Sequence, residues 1–211
     1  MTRIWLVRHG EAHVNQARDD GMVHLVDEHG LTDTGISQAE RLRERLTKDA
    51  GINPDVIIAS TYARARQTAA IACSDLNMPI IDDDSVQEWR VGADANDLTL
   101  TEAMASWERV YSGLGHDDRL TPQTETHNEF VTRIDASLLR IAAEHEDHEV
   151  LVFTHGGVVG RSFTTFMGLP HSAALKAVQP RHTSLTEWHL VEVFGSPSWV
   201  LARYNDVTHL S

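Results

Sequence analysis

The sequence predicts an α/β fold, a three-layer α/β/α sandwich around a mostly parallel central sheet. Three observations carry that reading. Short apolar runs alternate with longer segments of helical periodicity, the rhythm of strands and helices wrapped around a parallel sheet. The runs "RIWLV" at 3–7, "DVIIAS" at 55–60 and "EVLVFT" at 149–154 are apolar on both faces, as central strands covered on both sides must be. Chemistry-bearing residues stand just beyond the ends of these runs.

Taken in order, the first run stops at Arg8, His9 and Gly10, because a buried strand continuing into those groups would desolvate them at several kcal/mol each. Ile36, Ala39, Leu42 and Leu46 then recur at helical spacing in a segment entered through "TDTG", predicting a helix over about 34–48. The second run leads into "YARARQTAAIAC", an alanine-rich and closely packed helix, and "MPII" at 78–81 reads as a shorter strand towards the edge. Residues 88–125, with Trp89, Trp107, several glycines and many acids, break the rhythm. They predict an inserted, lid-like segment over the sheet with one helix at 100–111. Phe130, Ile134, Leu138 and Ile141 mark a helix at about 125–145. After the third run, "SLTEWHLVEVF" and "SWVLARY" flank "GSP" as a terminal hairpin. That hairpin either leaves a sheet edge free or pairs across a two-fold axis as a homodimer.

The totals narrow the function. At 211 residues the chain fits a single domain, 1–211, able to bury roughly 70% of its unfolded surface. It is 41% hydrophobic and 23% charged, a globular composition without internal repeats or low-complexity linkers. The net charge of −13, with Lys48 and Lys176 as the only lysines, argues against nucleic acid and against an anionic membrane as partners. Cys73 has no second cysteine to pair with, no stretch reaches the roughly 20 apolar residues of a membrane span, and "IWLV" is too short for a signal-peptide core. The expectation is a soluble cytoplasmic protein.

Ligands of open parallel sheets sit outside the carboxyl ends of the strands. Arg8 and His9 follow the first strand, Arg64 lies in the first turn after the second, and His155-Gly156-Gly157 follows the third. Two arginines, two histidines, a glycine-rich turn and the positive ends of two helices describe a site for an anion with several oxygens, phosphate above all. The imidazoles point to chemistry as well as binding. A neutral imidazole nitrogen attacks phosphorus competently, nearby arginines hold it neutral, and the other nitrogen needs a fixed donor role, for which the Gly10 carbonyl is placed. A departing alkoxide also needs a proton from a carboxylic acid. Glu88 is the candidate, with Glu11 second because it follows the nucleophile too closely to face a leaving group.

"RHGE" at 8–11 with Asn15, "LTDTGISQA" at 31–39, "STYARARQTA" at 60–69, "EWRVG" at 88–92, "THGG" at 154–157 and "NDVTHL" at 205–210 together resemble the histidine phosphatase superfamily, phosphoglycerate-mutase-like branch. The ordered set frames nearly the whole chain and is far more specific than "RHG" alone. The resemblance implies phosphorylation of His9, with Arg8, Arg64 and His155 around the phosphoryl oxygens. It implies Glu88 as proton donor, Asn15 and the Gly156 amide as further contacts, and neither metal nor organic cofactor. Mutases of this branch carry a basic stretch beyond Glu88 for carboxylated substrates. This chain offers Arg90, Arg109 and Arg119 among many acids, which favours transfer to water.

Other features read as structure. His29-Gly30 has no apolar run before it, "EHEDHE" at 144–149 lacks zinc-protease spacing, Asp82–Asp84 form a solvated acidic turn, and "HGGVVG" is neither a dinucleotide fingerprint nor a Walker loop. The reading is therefore a metal-independent hydrolase of phosphorylated small molecules. A phosphoglycerate mutase, a non-catalytic phosphate- or protein-binding module and metal-assisted hydrolysis are the alternatives. A neutral His9 with a protonated Glu88 predicts a bell-shaped rate–pH profile on the acidic side of neutrality.

Overall fold

The computed structural model describes residues 1–15, 30–48, 51–97, 99–111, 116–170 and 178–211. Its centre is β1 (Arg3–Arg8), every interior residue of which is buried. On one side β1 pairs in parallel with β4 (Glu149–Thr154), register Ile4↔Val150 to Arg8↔Thr154. β4 pairs in parallel with β2 (Val56–Ala59), and β2 with the edge strand β3 (Ile80–Asp82). On its other side β1 meets β5 (Leu185–Val193), which runs antiparallel and continues into β6 (Ser196–Asp206). The order β3-β2-β4-β1-β5-β6 gives a mostly parallel six-stranded sheet.

Alternation along each central strand assigns the two layers. Ile4, Leu6, Ile58, Val150 and Val152 face one way, onto Phe130, Ile134, Leu138 and Ile141 of α4 (His127–Glu144) and Val158, Val159 and Phe166 of α5 (Gly156–Met167). Trp5, Val7, Ile57, Ala59, Leu151 and Phe153 face the other, onto Leu42 and Leu46 of α1 (Asp33–Lys48) and Ala69 and Ala72 of α2 (Ala63–Ala72). Both faces are thus covered, which is why the strand sequences carry no polar alternation. Thr126 caps α4 through a capping box with Glu129, the two side chains satisfying donors that the first turn leaves open. Gly168, at φ 64°, ends α5 in the left-handed region.

Two boundaries differ from the sequence reading. β3 starts at Ile80 rather than at 78, because Pro79 has no amide to give the ladder. The hairpin turns at Phe194-Gly195 rather than within "GSP". Both residues have positive φ, 50° and 78°, the requirement of a tight primed turn, and Pro197 falls inside β6, an edge strand that tolerates it. Within the 88–125 segment, α3 (Leu100–Tyr111) takes the place expected for a helix. The His29 copy of "HG" lies outside the described residues. Asp83 is no freely solvated acid: it caps the short turn Asp84–Val86 and bonds Arg140 at 2.5 Å.

α4 and α5 are tied by an ion pair that no local pattern announces. Arg161, buried on α5, donates from Nε and Nη2 to the two carboxylate oxygens of Asp135 on α4, each at 2.7 Å. Removing one partner of such a pair strands a charge in low dielectric. Asp135→Ala is therefore expected to lower unfolding stability by about 3–5 kcal/mol, read as a shifted urea midpoint.

Candidate active site

The register Arg8↔Thr154 sets His9 and His155 side by side at the carboxyl ends of adjacent parallel strands. Their ring centroids are 5.2 Å apart, and the His9 amide donates to the Thr154 carbonyl at 2.9 Å. His9 Nδ1 lies 2.7 Å from the Gly10 carbonyl oxygen. A carbonyl only accepts, so Nδ1 carries the proton and Nε2 presents its lone pair. Arg64 Nε donates to that Nε2 at 3.2 Å, reaching across from the first turn of α2. Burial, reinforced by the Arg64 and Arg8 guanidiniums, pushes the His9 pKa well below its usual value, so the ring is neutral at physiological pH.

His155 is fully buried, and burial with Arg64 and His9 nearby holds its pKa well down too. Its Nε2 shares a 2.7 Å hydrogen bond with the Ser60 hydroxyl at the end of β2. That hydroxyl already accepts from the Tyr62 amide, so its own proton is available to Nε2. Nδ1 is buried without a partner among the described residues. Arg8 anchors through Nη1 to the Pro180 carbonyl at 2.6 Å, while its Nε is buried without a partner among the described residues. Burial lowers the Arg8 pKa, Glu88 opposing and Arg64 adding to the effect.

Glu88 reaches the same place from the other layer. Its Oε2 accepts from the Gly157 amide at 2.8 Å in the first turn of α5, and its Oε1 from the Trp89 amide at 3.1 Å. A Cβ on Gly157 would sit 2.2 Å from Glu88 Oε1, whereas one on Gly156 would meet Arg8 Nε at 3.6 Å, an ordinary contact. Glycine at 157 is what lets the carboxyl lie against the helix. Glu11 is engaged elsewhere: its Oε1 accepts from Thr32 at 2.8 Å, the residue that caps α1 by accepting from the Gly35 amide. Asn15 closes the short turn His13–Asn15, but its side chain lies outside the described residues, as does that of Trp107. Arg66 faces outward and pairs with Asp82 at 2.5 Å.

The family model of the histidine phosphatase superfamily (branch 1) matches residues 4–207. The chain belongs to this superfamily. A probable phosphoglycerate mutase GpmB of Proteus mirabilis (strain HI4320) is 31% identical over 217 aligned residues, spanning 100% of this chain and 96% of that protein. Among solved structures, YhfR of Bacillus stearothermophilus superposes with a TM-score of 0.77 at 25% identity over 100% of both chains. A phosphoserine phosphatase mutant of Entamoeba histolytica in complex with phosphoserine shares the fold at a TM-score of 0.78 and 22% identity, again over 100% of both chains.

Three residues beside these groups escaped the sequence reading. Arg133 on α4 grips Glu125 with two bonds, at 2.8 and 2.6 Å, and also donates to the carbonyls of Ser85, Gln87 and Glu88. It thereby fastens the loop that carries Glu88. Thr68, one turn beyond Arg64, accepts the Gly10 amide at 3.0 Å and so holds the turn behind His9. His182 stands with its ring centroid 5.7 Å from that of His9. The first two lie at helical spacing from residues already singled out, Phe130 and Arg64, and that spacing was the available signal. Among the described residues, no cluster of three or more His, Cys, Asp or Glu could hold a metal ion, and no helix is long and apolar enough to cross a membrane.

Burial depresses His9 and His155, and it also lowers His127, His182 and His209, these three to about 4. An unfolded chain would take up protons on these rings as pH falls through about 6.5, while the folded chain resists until far lower. The unfolded state binds more protons in that window, so stability rises with pH there. The urea midpoint is expected to fall steadily from pH 7 to pH 4.5.

Proposed function

We propose that this chain hydrolyses phosphate monoesters through a phosphohistidine at His9, with Glu88 as proton donor. The observation that carries the reading is the tautomer of His9: a proton fixed on Nδ1 by the Gly10 carbonyl and a neutral Nε2 among cations. In the first step Nε2 bonds to phosphorus, the ester P–O bond breaks, and Glu88 gives its proton to the departing oxygen. In the second, water attacks phosphorus, the P–N bond breaks, and Glu88 takes the water's proton as phosphate leaves. Arg8, Arg64 and His155 would hold the phosphoryl oxygens, with Asn15 and the Gly156 amide as further contacts. The scheme needs neither metal nor organic cofactor.

Phosphoglycerate mutase is the second reading, favoured by the name of the relatives, 28–31% identical, that span the chain. The arginines available for a carboxylated substrate argue for water as acceptor. Arg90 bonds Gln87 and Asp84, Arg109 pairs with Asp118, and Arg119 pairs with Glu129 through two bonds. In this single domain, residues 88–125 would act as the lid that selects the leaving group. Trp89 serves there as an anchor: its ring stacks on Phe130 at 6.0 Å and its Nε1 donates to the Glu125 carbonyl.

Phosphate release from an aryl phosphate, with chelator present, is expected for the wild type and absent in His9→Ala; release blocked by chelator would overturn the mechanism. With 3-phosphoglycerate, loss of phosphate should outpace isomerisation, and the reverse would establish the mutase. Because His9 protonates only well below pH 6.5, kcat/KM should show no loss from its titration near that pH. Gly157→Ala should displace the Glu88 carboxyl and slow kcat by about a hundredfold, with thermal stability unchanged or raised, since alanine favours a helix over glycine by up to about 1 kcal/mol.

A further inference from the structure

We infer that His182 is a third imidazole of the phosphate pocket, a direct ligand of the phosphoryl oxygens; this rests on the phosphatase reading above. Three independent features converge on it. Its ring stands 5.7 Å from the His9 ring, tilted by 40°, while His155 stands 5.2 Å away, so two imidazoles neighbour the nucleophile. Its Nε2 is buried and has no hydrogen-bond partner among the described residues. A buried polar atom left so is costly unless something else meets it, and the other buried atoms without a protein partner here include Arg8 Nε and His155 Nδ1, from the same strand ends.

The third feature is the backbone that delivers the ring. Thr183 holds φ at 54°, a region a β-branched residue avoids. It is held there on both sides. The Thr183 amide donates to the carbonyls of Arg8 and His9, at 2.9 and 3.3 Å, and its hydroxyl meets His209 Nε2 at 3.0 Å. Asn205 Oδ1 accepts the Arg181 amide at 2.7 Å. The C-terminal "NDVTHL" motif thus clamps the 180–184 loop onto the end of β1. Strain maintained by so many bonds has its simplest use in fixing the side chain before Thr183, the His182 ring beside His9.

A phosphoryl group seated at His9 Nε2 carries oxygens into the volume these rings share, and a ring N–H of His182 can donate to one of them. Because the contact is with the phosphoryl group and not with the leaving group, its loss should weaken all phosphate monoesters alike.

The test is binding of inorganic phosphate, by calorimetry, to the wild type, His182→Phe and His182→Asn. Phenylalanine keeps a ring and removes the donor; asparagine keeps a donor. The expected result is a phosphate Kd raised about tenfold or more in His182→Phe and partly restored in His182→Asn, at a melting temperature close to wild type for both. KM for two aryl phosphates of different leaving group should rise by the same factor. In the unmodified protein, the His182 ring nitrogens should shift in a nitrogen-15 spectrum on saturation with phosphate, a readout that needs no variant to fold. Wild-type phosphate affinity in His182→Phe, or no shift in the wild-type spectrum, would overturn the assignment while leaving the phosphatase reading intact. A KM effect confined to one leaving group would overturn it in favour of leaving-group recognition. No phosphate binding to the wild type would overturn both this inference and the phosphatase reading.

Discussion

Everything at the site depends on one register, the parallel pairing of β1 with β4. Because Arg8 stands opposite Thr154, the residues that follow, His9 and His155, emerge side by side where the ladder ends. A slip of β1 by one residue would turn Trp5 and Val7 to the wrong layer, so the apolar core that stabilises the sheet also fixes the distance between the two imidazoles. Function and folding are coupled through the same strands. The site cannot drift without exposing the core.

A second constraint is burial of charge in an acidic chain. Arginines do the buried ionic work: Arg161 with Asp135 between the helices of one layer, Arg133 with Glu125 and three loop carbonyls, Arg45 with Asp206 beside the C-terminal turn. The planar guanidinium can satisfy several acceptors at once, which a lysine ammonium on a flexible stem does less well. Arg8 and Arg64 differ from these in standing beside the two imidazoles at the strand ends, His9 and His155. The histidines they flank stay neutral because burial dominates and the cations add to it, so neutral imidazoles and guanidiniums stand together, with the Glu88 carboxyl acting on Arg8.

The sequence made much of this legible because the relevant signals are local. β1, β4 and α3 lie within one residue of where their patterns place them, and α1 and α4 within two. Short continuous apolar runs of four to six residues, rich in β-branched side chains, fit strands covered on both faces. His9, Arg8, Arg64 and His155 were singled out because residues at the ends of such strands must meet, and they stand together there. Glu88 was harder to place from pattern alone, and the structure brings it to the first turn of α5, against Gly157. The turn at Phe194-Gly195 was displaced in the sequence reading because proline attracts a turn assignment, whereas positive φ at both turn residues decides the actual hairpin.

By itself, then, the sequence determined the layers, the parallel sheet and the set of groups at its carboxyl edge, since hydrophobic periodicity and strand termination are properties of neighbouring residues. Only the tertiary structure decided what supports those groups. Arg133 acts on carbonyls 45–48 positions away, Thr68 holds an amide 58 positions away, and His182 reaches His9 through a loop bent at Thr183 and clamped by Asn205 and His209. Such contacts leave no periodic trace. They exist because packing two helical layers on one sheet brings together segments whose sequences carry no record of each other.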